Sequence, residues 1–378
     1  MSAARQRASG KKAKAAVKSD SAPTKAPRET APASTGRRHV RLVFFFTALA
    51  AFAYAYYTQF MFENGPSNAD VLPFRVHDIP GKGKGAIATR DIAQGELILR
   101  EEPLFTVPTR VTSSSPGALL LHAIARLSPT QRAAFYNLSY VNLPDTAIPN
   151  TPSYNDELAL AIFQTNAVSA GSDTVGIFPT MARLNHGCSG AFNSVYSWRS
   201  QEGVIVVHAL KAVKAGEELL TTYLHTRASR DVRRQYLQSA YGFTCTCSVC
   251  SLPEQALRAS DGRLAEMSDL YGRFASWQHG SLSGKDALDV ARRIWAVGGE
   301  EGYLSERGQL AADAALVAAA HSDAQATREW AELAKTWYSI ELGRDSEQAR
   351  QMEGVIASPL KHGMWGQRKP ESVGGPDA

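Results

Sequence analysis

Four cysteines limit the folds open to this chain more than any other feature, because they fall in two places far apart in sequence. Cys188 lies in RLNHGCSGAFN, residues 183–193, while Cys245, Cys247 and Cys250 crowd into YGFTCTCSVC, residues 241–250. Four thiols allow two disulfides, but two of these are one residue apart and a third follows closely, a clustering that suits metal thiolates better. Disulfides and free thiols stand as the alternatives.

At 378 residues the chain can bury a sizeable core and is long enough for two or three domains. Its formal charge of +5 hides an asymmetry: residues 1–41 hold 11 Lys or Arg against two acids, leaving 30 against 34 in the rest. Residues 1–41 are rich in Ala, Ser, Pro and Lys with no hydrophobic period, so they cannot repay the entropy of ordering and read as a disordered basic tail. Such a tail suits nucleic acid or anionic lipid, or is simply a solvated leader; nucleic acid is not specifically indicated.

Residues 42–62, LVFFFTALAAFAYAYYTQFMF, run for 21 positions without a charge. At about 1.5 Å rise per residue this covers a bilayer core of about 30 Å. Arg37, Arg38 and Arg41 flank one end and Tyr54, Tyr56 and Tyr57 gather toward the other, so a single transmembrane helix and a single-pass membrane location are expected. The flanking arginines favour a cytoplasmic start, which conflicts with a thiolate metal site beyond the membrane; the compartment stays open.

From residue 72 the chain alternates short β-type runs with glycine turns, notably GKGKG at 81–85 and ATRDIAQGELILREEP at 88–103. GKGKG is not the dinucleotide fingerprint, because its spacing differs and no long helix follows. Residues 117–165 read as helical around a loop at 144–152, β-type runs return at 204–207 and up to Tyr223, and Ala- and Leu-rich helical spacing fills 285–297, 307–321 and 324–356. The fold class expected is α+β.

GIFPTMARLNHGC (176–188), GEELLTTY (216–223) and the cysteine cluster together resemble the SET-domain protein lysine methyltransferases, in the branch that includes the MYND-type enzymes and their fungal relatives. No cysteines remain for a MYND finger. The resemblance implies a SET β-clip fold with a knot-like crossing and a helical insert over 72–226, a post-SET zinc segment over 227–253 in which Cys188, Cys245, Cys247 and Cys250 hold structural zinc, and a tetratricopeptide-like helical region over 254–366 before a disordered tail at 367–378. One departure stands out. Relatives place Asn three residues after the motif Cys, whereas Ser189, Gly190, Ala191 and Phe192 intervene here before Asn193, an insertion of two residues.

What the resemblance implies for function is methyl transfer from S-adenosylmethionine to the ε-amine of a lysine in a protein substrate. Tyr223 would be the catalytic hydroxyl; Gly83, Lys84, Gly85, Asn166, Asn185 and His186 would bind the cofactor; Tyr241 and Phe243 would wall the lysine channel; and Asn193 would buttress the crossed loop. Asn166 reads equally well as a helix C-cap. The alternative is a weakly catalytic SET scaffold at a membrane that recruits a protein partner through its helical region, and the insertion motivates it.

Overall fold

The computed structural model describes residues 72–110, 116–225 and 227–378. The basic stretch 1–41 and the apolar span 42–62 lie outside the described residues. The membrane location is corrected here: among the described residues no helix is long and apolar enough to cross a membrane. The longest, Glu254–Ala275, has 22 residues but carries seven charged side chains, far too polar for a hydrocarbon core.

Small sheets carry the first half. Strands β1 (Phe74–Ile79) and β2 (Gly83–Ala88) form an antiparallel hairpin. Its turn needs glycine, since Gly81 and Gly83 have φ of +74° and +70°. Strand β3 (Leu97–Glu101) pairs with β9 (Val204–Ala209), which pairs on its other edge with β8 (Ser194–Arg199). β9 reads VIVVHA and is buried at all six positions, as expected of a central strand covered on both faces. A third sheet joins β4 (Thr106–Pro108), β6 (Thr174–Gly176) and β5 (Val168–Ser169), and a short parallel pair joins β7 (Asn185–His186) to β10 (Leu220–Thr221). Ile98, Leu99, Phe178, Ile205 and Val207 share one buried cluster beneath these strands.

Helices α1 (Pro116–Ala125), α2 (Pro129–Tyr136) and α3 (Pro152–Asn166) form the insert between β4 and β5. α2 begins with a complete capping box, in which Ser128 and Gln131 each accept the other's backbone N–H. Leu120, Ile124, Phe135 and Ile162 then close a separate apolar core with Ile177. After β10, helix α4 (Arg230–Tyr241) stops at Gly242, whose φ of +70° turns the chain directly into the cysteine cluster.

Five helices complete the chain: α5 (Glu254–Ala275), α6 (Gly284–Glu301), α7 (Arg307–Ala320), α8 (Ala324–Glu341) and α9 (Glu347–Ala357). The Ala311, Ala314, Ala315 and Ala318 face of α7 belongs to the same buried core as Trp330, Ala331 and Ala334 of α8. The helical stretch expected over 324–356 is two helices, because Gly343 at φ +94° breaks it and the Ser346 hydroxyl caps α9 by accepting the Ala349 N–H at 3.2 Å.

Residues 367–378 differ from the expected disordered tail. Val373 is buried, its N–H and the Asp323 carboxylate are 2.9 Å apart, and the Trp330 indole donates to the Gly374 carbonyl at 3.1 Å. The helix core leaves an apolar slot and polar groups at its rim, which the polar composition of the tail could not reveal.

Candidate active site and metal centre

The site is assembled around the strand segment 218–221. Gly187 N–H donates to the Thr221 carbonyl at 2.8 Å. Farther on, Asn193 grips the same strand three times: its N–H donates to the Leu220 carbonyl at 3.0 Å, its Oδ1 accepts the Leu220 N–H at 2.8 Å, and its Nδ2 donates to the Glu218 carbonyl at 2.9 Å. Leu220 and Thr221 are neighbours in an extended strand and turn their peptide groups to opposite edges. The 187–193 loop therefore holds both edges of that strand.

At the start of this loop the four thiols meet. Cys188, Cys245, Cys247 and Cys250 are all buried, and their sulfurs lie within 4.8 Å of one another. Cys188 Sγ is 3.9 Å from Cys245 Sγ and 3.6 Å from Cys250 Sγ, far beyond the S–S bond of about 2.04 Å in a disulfide. Sulfurs about 2.3 Å from a tetrahedral ion lie about 3.8 Å apart, so the donor set fits a metal. The surroundings fit negative sulfur as well. The wholly buried Arg233 guanidinium reaches Cys250 Sγ at 3.9 Å and Asp261 at 3.3 Å, and Arg234 donates to the carbonyls of Cys245 and Cys250 at 3.0 and 3.1 Å.

His186 connects this centre to a cavity. Its Nδ1 accepts the Tyr223 N–H at 3.1 Å, which leaves the ring proton on Nε2, 3.1 Å from Cys188 Sγ. Burial pushes the imidazole down to about 4, in keeping with a neutral ring. The cavity has a volume of about 700 Å³ and is walled by the hairpin turn, the end of α3, residues 181–186 and 221–224, and residues 241–247 apart from Gly242. Tyr223 stands in its wall, donating its hydroxyl to the Leu184 carbonyl at 2.8 Å. Its ring centroid is 4.9 Å from that of Tyr241 and 5.5 Å from that of His186, and burial raises its phenol well above the ordinary range.

Lys84, Asn166, Asn185, His186, Tyr223, Tyr241 and Phe243 all line this cavity. Apart from the thiols Cys188 and Cys250, three residues singled out from the sequence do not: Gly83, Gly85 and Asn193. Gly83 supplies the hairpin turn, and a Cβ on Gly85 would lie 2.3 Å from the Ile79 side chain and 2.7 Å from Asn185 Nδ2, so Gly85 serves close packing. From the same hairpin it is Gly81 and Lys82 that join Lys84 in the wall. Asn193 clamps the strand from outside the cavity. Asn166 is bound on both sides: its amide donates to the carbonyls of Ser139 and Ile162, each at 2.7 Å. His186 offers the cavity a ring face, since both its nitrogens are engaged by the chain.

Sequence reasoning missed the groups that hold these residues in place. Glu101 accepts the N–H groups of Thr180 and Met181, each at 2.8 Å, and so sets the 3₁₀ turn Met181–Arg183 that leads into Leu184 and Asn185. Glu218 accepts from Asn185 Nδ2 at 2.8 Å and pairs with Lys82 at 2.5 Å. Each partner lies 33 or more positions away, so no local spacing announces the pairing.

A family model described as the SET domain matches residues 83–224. Histone-lysine N-methyltransferase set5 of Schizosaccharomyces pombe is 28% identical over 293 residues, covering 77% of this chain and 86% of that protein. Histone-lysine N-methyltransferase SMYD3 of Mus musculus is 31% identical over 81 residues, 21% of this chain and 18% of its own length. Among solved structures, the SET domain of LSMT bound to lysine and AdoHcy is 16% identical with a TM-score of 0.31, covering 84% of this chain and 90% of that one. With residues 83–224 matched by the family model and a fungal relative aligning over most of both chains, this chain carries a SET domain.

Proposed function

We propose that the chain is an S-adenosylmethionine-dependent methyltransferase acting on the ε-amine of a lysine in a protein substrate. The observation that carries this reading is the cavity itself, whose one wall set joins Lys82 and Lys84 of the hairpin turn, Asn166 and Asn185, and a ring cluster of His186, Tyr223, Tyr241 and Phe243. The bound cofactor supplies a methyl group on a positively charged sulfur, which passes to a nitrogen lone pair. Lys84, Asn166 and Asn185 hold that cofactor. Tyr223 donates its proton to Leu184, so its oxygen keeps lone pairs for the incoming amine, and its raised phenol keeps it an orienting group rather than a base at neutral pH. A lysine ammonium has a reference pKa of about 10.4. Aromatic walls strip it of water and favour the neutral amine, and the same faces then suit a methylated ammonium product.

Cys188, Cys245, Cys247 and Cys250 hold one zinc ion. Four sulfur donors leave no open position, so its role is structural: it joins the 245–250 segment, part of which lines the cavity, to the loop after His186. The division into a SET domain over 72–226, a post-SET segment over 227–253 and a helical region over 254–366 accompanies this reading. Ser189 to Phe192 take no direct part in the cavity wall, which favours the enzyme over a weakly catalytic scaffold.

The test is direct. The purified protein with methyl-labelled S-adenosylmethionine is expected to label lysine in a protein substrate, and Tyr223→Phe is expected to lower the rate by about 100-fold. Labelling that persists at the wild-type rate in the variant, or appears on residues other than lysine, would overturn the assignment.

A further inference from the structure

The two-residue insertion after Cys188 sits in a clamp of its own. Ser189 donates its hydroxyl to Glu301 Oε1 at 2.9 Å, and Ser260 donates to the same oxygen at 2.6 Å. Arg263 holds the other oxygen at 2.8 and 3.0 Å. On the strand side, Lys211 Nζ reaches the Gly190 carbonyl at 2.5 Å. A Cβ at Gly190 would lie 2.4 Å from the Glu301 carbonyl oxygen, an approach that only glycine permits. Ser189 itself holds a φ of +22°, rare for a side-chain-bearing residue.

Glu301 is a costly choice for mere packing. It is the last residue of α6 and 8% exposed, and a buried carboxylate at a helix C-terminus opposes both the dipole and desolvation. What it holds is one peptide from Cys188 and a few residues from Asn185 and His186. We infer that Glu301 is a positioning residue, through which the helical region sets the Ser189–Gly190 turn and thereby the placement of Cys188 and of Asn185 and His186 in the cavity wall. The inference rests on the proposed function in naming the cavity's ligand and the ion held by the four cysteines.

Full-length Glu301→Ala and Gly190→Ala are compared with Asp323→Ala, which loosens the α8 cap and the C-terminal tail without touching this turn. The readouts are zinc transfer to a chromogenic chelator, the Kd for S-adenosylmethionine, and Tm. The two clamp variants are expected to release zinc about tenfold faster and to bind cofactor correspondingly more weakly. Glu301→Gln still accepts both hydroxyls through Oε1 but sets its amide N–H groups against the Arg263 guanidinium, so it is expected to recover part of the loss, while Asp323→Ala lowers Tm alone. Glu301→Ala that behaves like Asp323→Ala, or Gly190→Ala that leaves both readouts at wild type, sinks the inference. Failure of the wild type to methylate any lysine would instead sink the functional reading, leaving the zinc-transfer and cofactor arms to decide this one.

Discussion

Arg233 shows how much a single side chain can depend on a centre it does not ligate. Its side chain is wholly buried between Asp261 and the Cys250 sulfur, and a guanidinium there is tolerable only against negative charge. Arg233→Ala is expected to cost about 3 kcal/mol in denaturant unfolding, with Asp261 and the Cys250 sulfur left without their cation. Cys247→Ser should abolish stoichiometric zinc: metal analysis is expected to fall from one ion per chain to a small fraction. Retention of a full equivalent would mean that three thiolates suffice. The cysteines were legible as a group because CxCxxC is a local pattern. Arg233 was not, since an arginine in RRQY looks like any exposed helical charge until the helix is packed.

Among the elements, α7 and α8 are fastened by a cap supplied from outside. Glu306, at the N-cap of α7, makes no side-chain cap bond. Instead Glu341, ending α8, accepts the N–H groups of Glu306 and Gly308, each at 3.0 Å. Burial nevertheless pushes its carboxyl up to about 7 from the model-peptide value of 4.5. A folded-state value above the unfolded one means that the native protein binds the extra proton between these limits. Stability is therefore expected to fall as pH rises from about 4.5 to about 7, and Glu341→Gln should flatten that part of the Tm profile. An unchanged slope in the variant would show that other groups govern it. Helix positions and the glycine turns were readable from period and residue type; the source of this cap was not, because it joins two helices through side-chain geometry.

At the scale of the molecule, the four-cysteine cluster, the cavity and the helical region are linked in series. Residues 243–247 wall the cavity and also carry two of the thiols. Stripping the metal with a chelator is expected to weaken S-adenosylmethionine binding by about tenfold or more while far-UV helicity changes little, since α5 to α9 have their own core. Loss of helicity in parallel would show that the centre also holds the helical region together. Deleting residues 372–378 removes the buried Val373 and uncovers the Trp330 indole, and is expected to cost about 2 kcal/mol in chemical unfolding. A tail that hung free would cost nothing.

The chain's own order of residues was enough to determine what depends on near neighbours: the CxCxxC run at 245–250, the glycine turn at 81–85 and the helical runs, whereas Cys188, Asn185, His186 and Tyr223 were picked out by the family resemblance. The first three follow from ligand spacing, backbone sterics and helical period, all of which operate over a few residues. Tertiary structure alone decided that Gly81 and Lys82 rather than Gly83 and Gly85 face the cavity, that residues 367–378 pack, and that Glu301 reaches Ser189 across 112 positions. Pairings of that kind are set by which surfaces packing brings together, and two side chains that meet only after folding leave no period or spacing by which either foretells the other.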